Sequence, residues 1–117
     1  MEIRRDIYLD KLILKKQNKL IKVITGIRRC GKSYLLFNLF KDHLESEGVP
    51  DDHIIEMAFD LYENIDYRDP KVFFPYVKEQ IKDKEMYYVL LDEVQLLKEF
   101  EAVLNSLSRM KNVDVYV

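Results

Sequence analysis

The residues best suited to chemistry lie near the start of the chain, in the segment Gly26-Ile27-Arg28-Arg29-Cys30-Gly31-Lys32-Ser33. This segment matches G-x-x-x-x-G-K-[ST], the pattern of a phosphate-binding loop (P-loop), at every fixed position. Glycines let the backbone approach an anion closely, so that the N–H groups of the loop point at the phosphates. The pattern predicts a nucleotide site made by Gly26, Ile27, Arg28, Arg29, Cys30, Gly31, Lys32, Ser33 and Tyr34.

Two residues of this loop have predicted roles in the reaction. Lys32 is expected to bridge the β- and γ-phosphates as a point charge, and Ser33 to place its hydroxyl on Mg²⁺. A chance match to the pattern is the alternative. It is disfavoured because the segment lies between a predicted strand and a predicted helix, the context in which this motif works. The expected cofactors are ATP and Mg²⁺.

A pair of acidic residues follows the apolar run Tyr87-Tyr88-Val89-Leu90-Leu91. Asp92 is expected to hold Mg²⁺, largely through water, and Glu93 to activate the attacking water as a general base. Acidic residues at strand ends are common, so the pair alone is weak evidence. Its distance from Lys32 fits two intervening strand–helix units, and the combination predicts hydrolysis by water.

Other polar residues near these motifs leave alternatives open. Arg28 and Arg29 could contact phosphate or a neighbouring subunit, or remain solvated. Cys30 is expected to be a small filler in preference to a reactive thiol, although a helix N-terminus can lower a thiol pKa. Gln95 could sense the γ-phosphate or serve as a capping or surface residue.

Three further polar residues lie outside the two motifs. Asp60 ends a predicted strand on the carboxyl edge, where ligands bind in open α/β sheets, and is a candidate polar contact. His43 and His53 have no partner at metal-ligand spacing and are expected to be structural.

Hydrophobic periodicity predicts the elements that must position these residues. Apolar strands alternate with amphipathic helices, so the sequence predicts a three-layer α/β fold with a parallel sheet. The predicted elements are a helix at 6–16, strands at 20–25, 53–59, 87–91 and 113–117, and helices from 32 to before Gly48, from 70 to 83 and from 97 to 110. Residues 60–68 are predicted to form a loop.

Composition fits one domain: 117 residues, 48% hydrophobic and 34% charged, with a net charge of −2. One cysteine excludes an internal disulfide framework, and the absence of an 18-residue apolar run excludes a membrane partner. A cytoplasmic location is the expectation. Residues 1–41 hold eleven Lys/Arg and three Asp/Glu, which suits a nucleic-acid patch. A phosphate site and a solvated helix account for these charges better.

The last residues form an apolar strand that no predicted helix covers. Bare edge strands are a liability, so residues 1–117 are expected to be a single P-loop ATPase domain cut from a longer protein.

Three stretches together resemble the prokaryotic predicted ATPases of the AAA+ superfamily that carry a further uncharacterised C-terminal domain. They are residues 23–33, the run Leu91-Asp92-Glu93-Val94-Gln95, and residues 100–107. The resemblance implies the strand order 2-3-4-1, counted along the chain, with ATP and Mg²⁺ at the carboxyl edge. It also implies that a sensor residue and an arginine finger are missing, so that hydrolysis by this chain alone is slow. Whether the longer protein forms a homo-oligomer stays open.

The first hypothesis is therefore an ATPase domain, and the alternative is a slow nucleotide-dependent switch that regulates another domain or a nucleic-acid partner. A small-molecule kinase would need a basic lid segment, which the sequence lacks. A GTPase would need an Asn-Lys-x-Asp segment, which is also absent.

Overall fold

The computed structural model describes residues 35–117. The helix predicted at 6–16, the strand at 20–25 and the phosphate-binding residues 26–34 lie outside the described residues. Residues 35–117 form, in order, a π-helical segment (Leu35–Phe40), α1 (Lys41–Ser46), a 3₁₀ helix (Asp51–His53), β1 (Ile54–Ala58), a second 3₁₀ helix (Tyr62–Arg68), α2 (Pro70–Gln80), β2 (Tyr87–Asp92), a 3₁₀ turn (Val94–Leu96), α3 (Phe100–Ser108) and β3 (Val113–Tyr116).

The three described strands form one parallel sheet in the order β1-β2-β3. Every residue of β2 is buried, because this strand has a neighbour on each side and a helical layer on each face. The predicted α/β class with a parallel sheet is confirmed. The position of the strand predicted at 20–25 lies outside the described part of the chain, so the complete order 2-3-4-1 stays a prediction.

Each face of the sheet packs against its own helical layer. The helical stretch from Leu35 to Ser46 covers one face, where Phe40 packs on Tyr116 with ring centroids 4.4 Å apart. Helices α2 and α3 cover the other face, where Phe59 meets Phe73 edge-on at 5.1 Å. Burial of these rings, together with the aliphatic residues of the same clusters, holds the three layers together.

Helix α2 begins at Pro70, as the sequence predicts, and Asp69 caps it. The Lys71 N–H donates to Asp69 Oδ1 at 3.0 Å, which satisfies one of the unpaired donors of the first turn. The helix ends at Gln80, three residues before the predicted end. The cause is local: Ile81 is extended, and the Lys82 N–H donates to the Tyr87 hydroxyl at 3.1 Å instead of to a helical carbonyl.

A buried polar pair lies on the face covered by the first helical layer. The Tyr116 hydroxyl donates to Asp114 Oδ2 at 2.7 Å, and both residues are at most 2% exposed. Burial of the ring and its bond to the carboxylate raise the pKa of Tyr116 above that of an exposed tyrosine. A buried carboxylate needs such a donor, because burying a charge without a hydrogen-bond partner costs far more free energy than burying a neutral polar group.

Candidate active site

The carboxyl end of β2 carries Asp92, which is 1% exposed. The residues of β2 that precede it are apolar and buried, and Asp92 follows them where the strand ends, at the edge of the sheet. The main chain is fixed there by the Phe59 N–H, which donates to the Asp92 carbonyl at 3.1 Å. Asp92 is therefore a carboxylate on a rigid strand, the kind of support that a metal or phosphate site requires.

Glu93 ends the strand by adopting a left-handed backbone, with φ 55° and ψ 44°. This conformation costs a residue with a Cβ about 1–2 kcal/mol. It also turns the Glu93 N–H back onto Asp92 Oδ1, at 3.1 Å. One oxygen of the Asp92 carboxylate is thereby oriented by the next residue of the chain.

Gln95 contacts the side chain of Glu93 directly. Its Nε2 donates to Glu93 Oε1 at 2.6 Å. The two residues belong to a tight turn in which the Leu96 N–H donates to the Glu93 carbonyl at 3.1 Å. The structure thus brings together three of the residues that the sequence analysis singled out: Asp92, Glu93 and Gln95.

Arg68 completes the end of β1 at this edge. The pairing of Phe59 with Asp92 would continue, in a regular parallel ladder, with a bond from the Val94 N–H to the Phe59 carbonyl. Because Glu93 turns the chain away, the Arg68 Nε takes that carbonyl instead, at 2.9 Å. The Arg68 guanidinium therefore bonds to Phe59, the residue whose N–H donates to the Asp92 carbonyl.

Sequence reasoning missed Arg68 and also Asn64, whose Nδ2 donates to the Ala58 carbonyl at 2.9 Å. Both stand in the stretch predicted to be a loop, where residues 62–68 form a 3₁₀ helix instead. The two side-chain bonds to the end of β1 explain why this stretch is ordered. Polar residues shortly after a strand were the available signal.

Asp60 follows β1, whose carboxyl end lies beside that of β2 through the pairing of Ala58 with Asp92. The topology therefore places Asp60 at the same edge as Asp92 and Glu93, and it is half-buried there. The three carboxylates give this edge a strongly negative character. A nucleotide could bind at such an edge only with compensating cations.

The donor set of this edge suits Mg²⁺, which prefers carboxylate oxygens, keeps several waters and is commonly held by one or two carboxylates together with substrate phosphates. Among residues 35–117, no group of three or more His, Cys, Asp or Glu side chains is arranged to hold a metal ion by itself. Asp92 fits the role of a single carboxylate ligand. Lys32, Ser33 and the rest of the predicted loop, Gly26 to Tyr34, lie outside the described residues.

The two histidines lie away from this edge. The His53 ring stacks on Tyr87, with centroids 4.1 Å apart and planes 7° apart, and its Nδ1 is 3.2 Å from the Met86 carbonyl. His43 Nε2 is 3.4 Å from Glu47 Oε1 within the first helical layer. These contacts agree with the structural roles expected for both residues.

No helix within residues 35–117 is long and apolar enough to cross a membrane.

Comparison with known proteins also covers residues that precede the described part of the chain. A family model for an AAA domain matches residues 18–117. An uncharacterised protein of Haemophilus influenzae is 33% identical over 116 residues, which are 98% of this chain and 29% of the relative. The chain thus spans less than a third of the length of that relative. No solved structure matches this chain.

Proposed function

The chain belongs to the AAA domain family, and from this membership we propose that it binds ATP with Mg²⁺ and hydrolyses the γ-phosphate bond at the carboxyl edge of the sheet. The observation that carries the proposal is the Asp92-Glu93 turn. It joins a buried carboxylate to a second carboxylate that is half-exposed and oriented by a hydrogen bond. The buried carboxylate can bind a cation, and the half-exposed carboxylate can contact water.

The phosphates are assigned to residues 26–34. The loop amides and Lys32 are proposed to bind the β- and γ-phosphates, with Ser33 on the cation; Arg28 and Arg29 remain candidates for further phosphate contacts. The glycine spacing and the AAA domain match, which covers this segment, support this part of the proposal. Phosphoryl transfer asks mainly for positioning and charge neutralisation, and these residues supply both.

Asp92 is proposed as the protein carboxylate that holds Mg²⁺. The ion, when bound, neutralises the charge that develops on the phosphate oxygens. Asp92 contributes through its fixed position, because β2 and the Glu93 N–H both limit its motion. A carboxylate offers about four acceptor sites, and the Glu93 bond uses one of them.

Glu93 is proposed as the general base that accepts a proton from the attacking water. Glu93 is half-buried at the carboxyl edge of the sheet, so water can reach its carboxylate. A side chain in this role must be within hydrogen-bond reach of the water and held in one orientation. The left-handed conformation of residue 93 sets the direction in which this side chain leaves the backbone.

A nucleotide-dependent switch is the second candidate function. The chain spans 29% of the length of its Haemophilus influenzae relative, so the nucleotide state of this domain could regulate the remainder of a longer protein. The same residues would bind ATP, but turnover would be slow. Measured hydrolysis separates the two functions.

The experiment compares the wild-type chain with Asp92→Asn, in which the amide oxygen can still accept the Glu93 N–H. Phosphate release from ATP is measured over a range of Mg²⁺ concentrations and with EDTA. We expect release that EDTA abolishes, and at least about a 10-fold loss with Asp92→Asn, in line with the loss of a ligand to a catalytic ion. The matched control is Asp66→Asn, at an exposed position of the 3₁₀ helix, with wild-type activity expected.

Equal Mg²⁺-dependent rates for Asp92→Asn and the wild type would contradict the role of Asp92. ATP binding by a wild-type chain that releases no phosphate at any Mg²⁺ concentration would favour the switch. GTP hydrolysed as fast as ATP would show that the site does not select adenine.

A further inference from the structure

The carboxylate of Glu93 accepts a hydrogen bond from Gln95, to which the proposed hydrolysis assigns no role. Gln95 Nε2 donates to Glu93 Oε1 at 2.6 Å. This distance is slightly shorter than the usual range of about 2.7–3.2 Å for an N–H···O bond. Gln95 is exposed and Glu93 is half-buried, so water could satisfy the amide equally well. The contact therefore restricts the side chain of Gln95 and adds a hydrogen bond to the carboxylate of Glu93.

The backbone between the two residues is rigid. The Leu97 N–H donates to the Val94 carbonyl at 2.9 Å, following the bond from Leu96 to Glu93. Val94 and Leu97 are 8% and 1% exposed and anchor the turn in the core. Because the turn is anchored on both sides of residue 95, the Cα of Gln95 is held at a fixed distance from the Glu93 backbone.

The chemistry of the amide suits a positioning role. Its N–H is neutral, so it orients the carboxylate without the ion pair that a lysine or arginine would form. It occupies one acceptor site on one oxygen, and a carboxylate has about four such sites. The remaining sites can still accept a proton from water.

We propose that Gln95 is a positioning residue that holds Glu93 in the orientation in which it activates water. This inference rests on the hydrolysis proposed above and assigns Gln95 a role through Glu93. If Gln95 instead contacted the γ-phosphate directly, its loss would weaken the affinity for the nucleotide. An error of about 1 Å in the position of a catalytic group can lower a rate by up to about 100-fold.

The test uses Gln95→Met, which keeps the length and helix propensity of the side chain and removes its donor. The matched control is Gln80→Met at the end of α2. Single-turnover hydrolysis, at saturating Mg²⁺ and with the protein in excess over ATP, measures the chemical step, and titration with ATP measures affinity. We expect about a 10-fold lower rate for Gln95→Met, with unchanged affinity and unchanged thermal midpoint. Gln80→Met should match the wild type in the rate and in ATP affinity.

The pair is then combined with Glu93→Gln. If Gln95 acts only through Glu93, Gln95→Met has no further effect on the rate once the base is gone. A further 10-fold loss in that background would show that Gln95 acts independently of Glu93. A weaker ATP affinity with an unchanged rate constant would instead place Gln95 on the nucleotide, and either result overturns the proposal.

Side-chain amide NMR separates failure of this inference from failure of the proposed function. The Gln95 amide resonance should shift in Glu93→Gln whether or not ATP is hydrolysed. An unmoved resonance would overturn the contact itself. A shifted resonance in a chain that binds ATP without releasing phosphate would contradict hydrolysis, and with it the assignment of the contact to catalysis.

Discussion

Two glutamates, six residues apart, adopt the same left-handed backbone in different settings. Glu93 has φ 55° and Glu99 has φ 54°. Glu93 follows a buried carboxylate, bonds to it through its N–H, and receives a hydrogen bond from Gln95. Glu99 is exposed and precedes α3, and within residues 35–117 its side chain makes no cap hydrogen bond to that helix.

The difference shows what the left-handed conformation does at each place. At Glu99 it changes the direction of the chain before a helix, a task that glycine performs at lower cost. At Glu93 it ends the β2 ladder, leaves the Phe59 carbonyl to Arg68, and fixes the acidic pair. A strained backbone conformation indicates a functional site only where the contacts around it depend on that conformation.

The largest predicted difference between the two residues is in catalysis. Glu93→Gln should lower ATP turnover by about 100-fold or more, within the range that general bases contribute, and leave ATP affinity unchanged. Glu99→Gln makes the same chemical change at the same backbone conformation and should leave turnover unchanged. Phosphate-release rates for both variants provide the measurement. Similar rates for the two variants would mean that Glu93 is not the base.

A smaller difference is expected in stability when each glutamate is replaced by glycine. Glu99→Gly should raise the free energy of unfolding by about 0.5–1 kcal/mol, because glycine adopts positive φ without a Cβ penalty. Glu93→Gly should gain less, because it also loses the hydrogen bond from Gln95. Urea unfolding curves measure both changes. A larger gain at Glu93 would indicate that its contacts contribute nothing to the folded state.

The three strands among residues 35–117 could be predicted from the sequence to within about a residue at each end. The apolar runs at 53–59, 87–91 and 113–117 correspond to Ile54–Ala58, Tyr87–Asp92 and Val113–Tyr116. This succeeded because strands buried on both faces are continuous apolar runs bounded by polar residues. Two charged residues interrupt these runs: Glu56, which is exposed in β1, and Asp114, a buried carboxylate inside β3 whose partner Tyr116 no periodicity reveals.

The turns around the site were harder to predict. The last predicted helix was placed at 97–110, whereas α3 spans Phe100–Ser108. Positive φ is expected of glycine or asparagine, so a glutamate in the sequence does not predict it. The acidic pair was found because it ends an apolar strand. The side chains of Arg68 and Asn64 were missed because they bond to backbone carbonyls, and polar residues shortly after a strand are a weak signal of such bonds.

The central claim is that this chain binds ATP through the loop that contains Lys32, and calorimetric titration with ATP tests it most directly. The titrations use the wild-type chain, Lys32→Ala and the exposed control Lys84→Ala, each with Mg²⁺. We expect saturable binding by the wild type and by Lys84→Ala, and no detectable binding by Lys32→Ala at the same concentrations, with circular dichroism showing that all three are folded. Binding of ATP by Lys32→Ala with wild-type affinity would contradict the account.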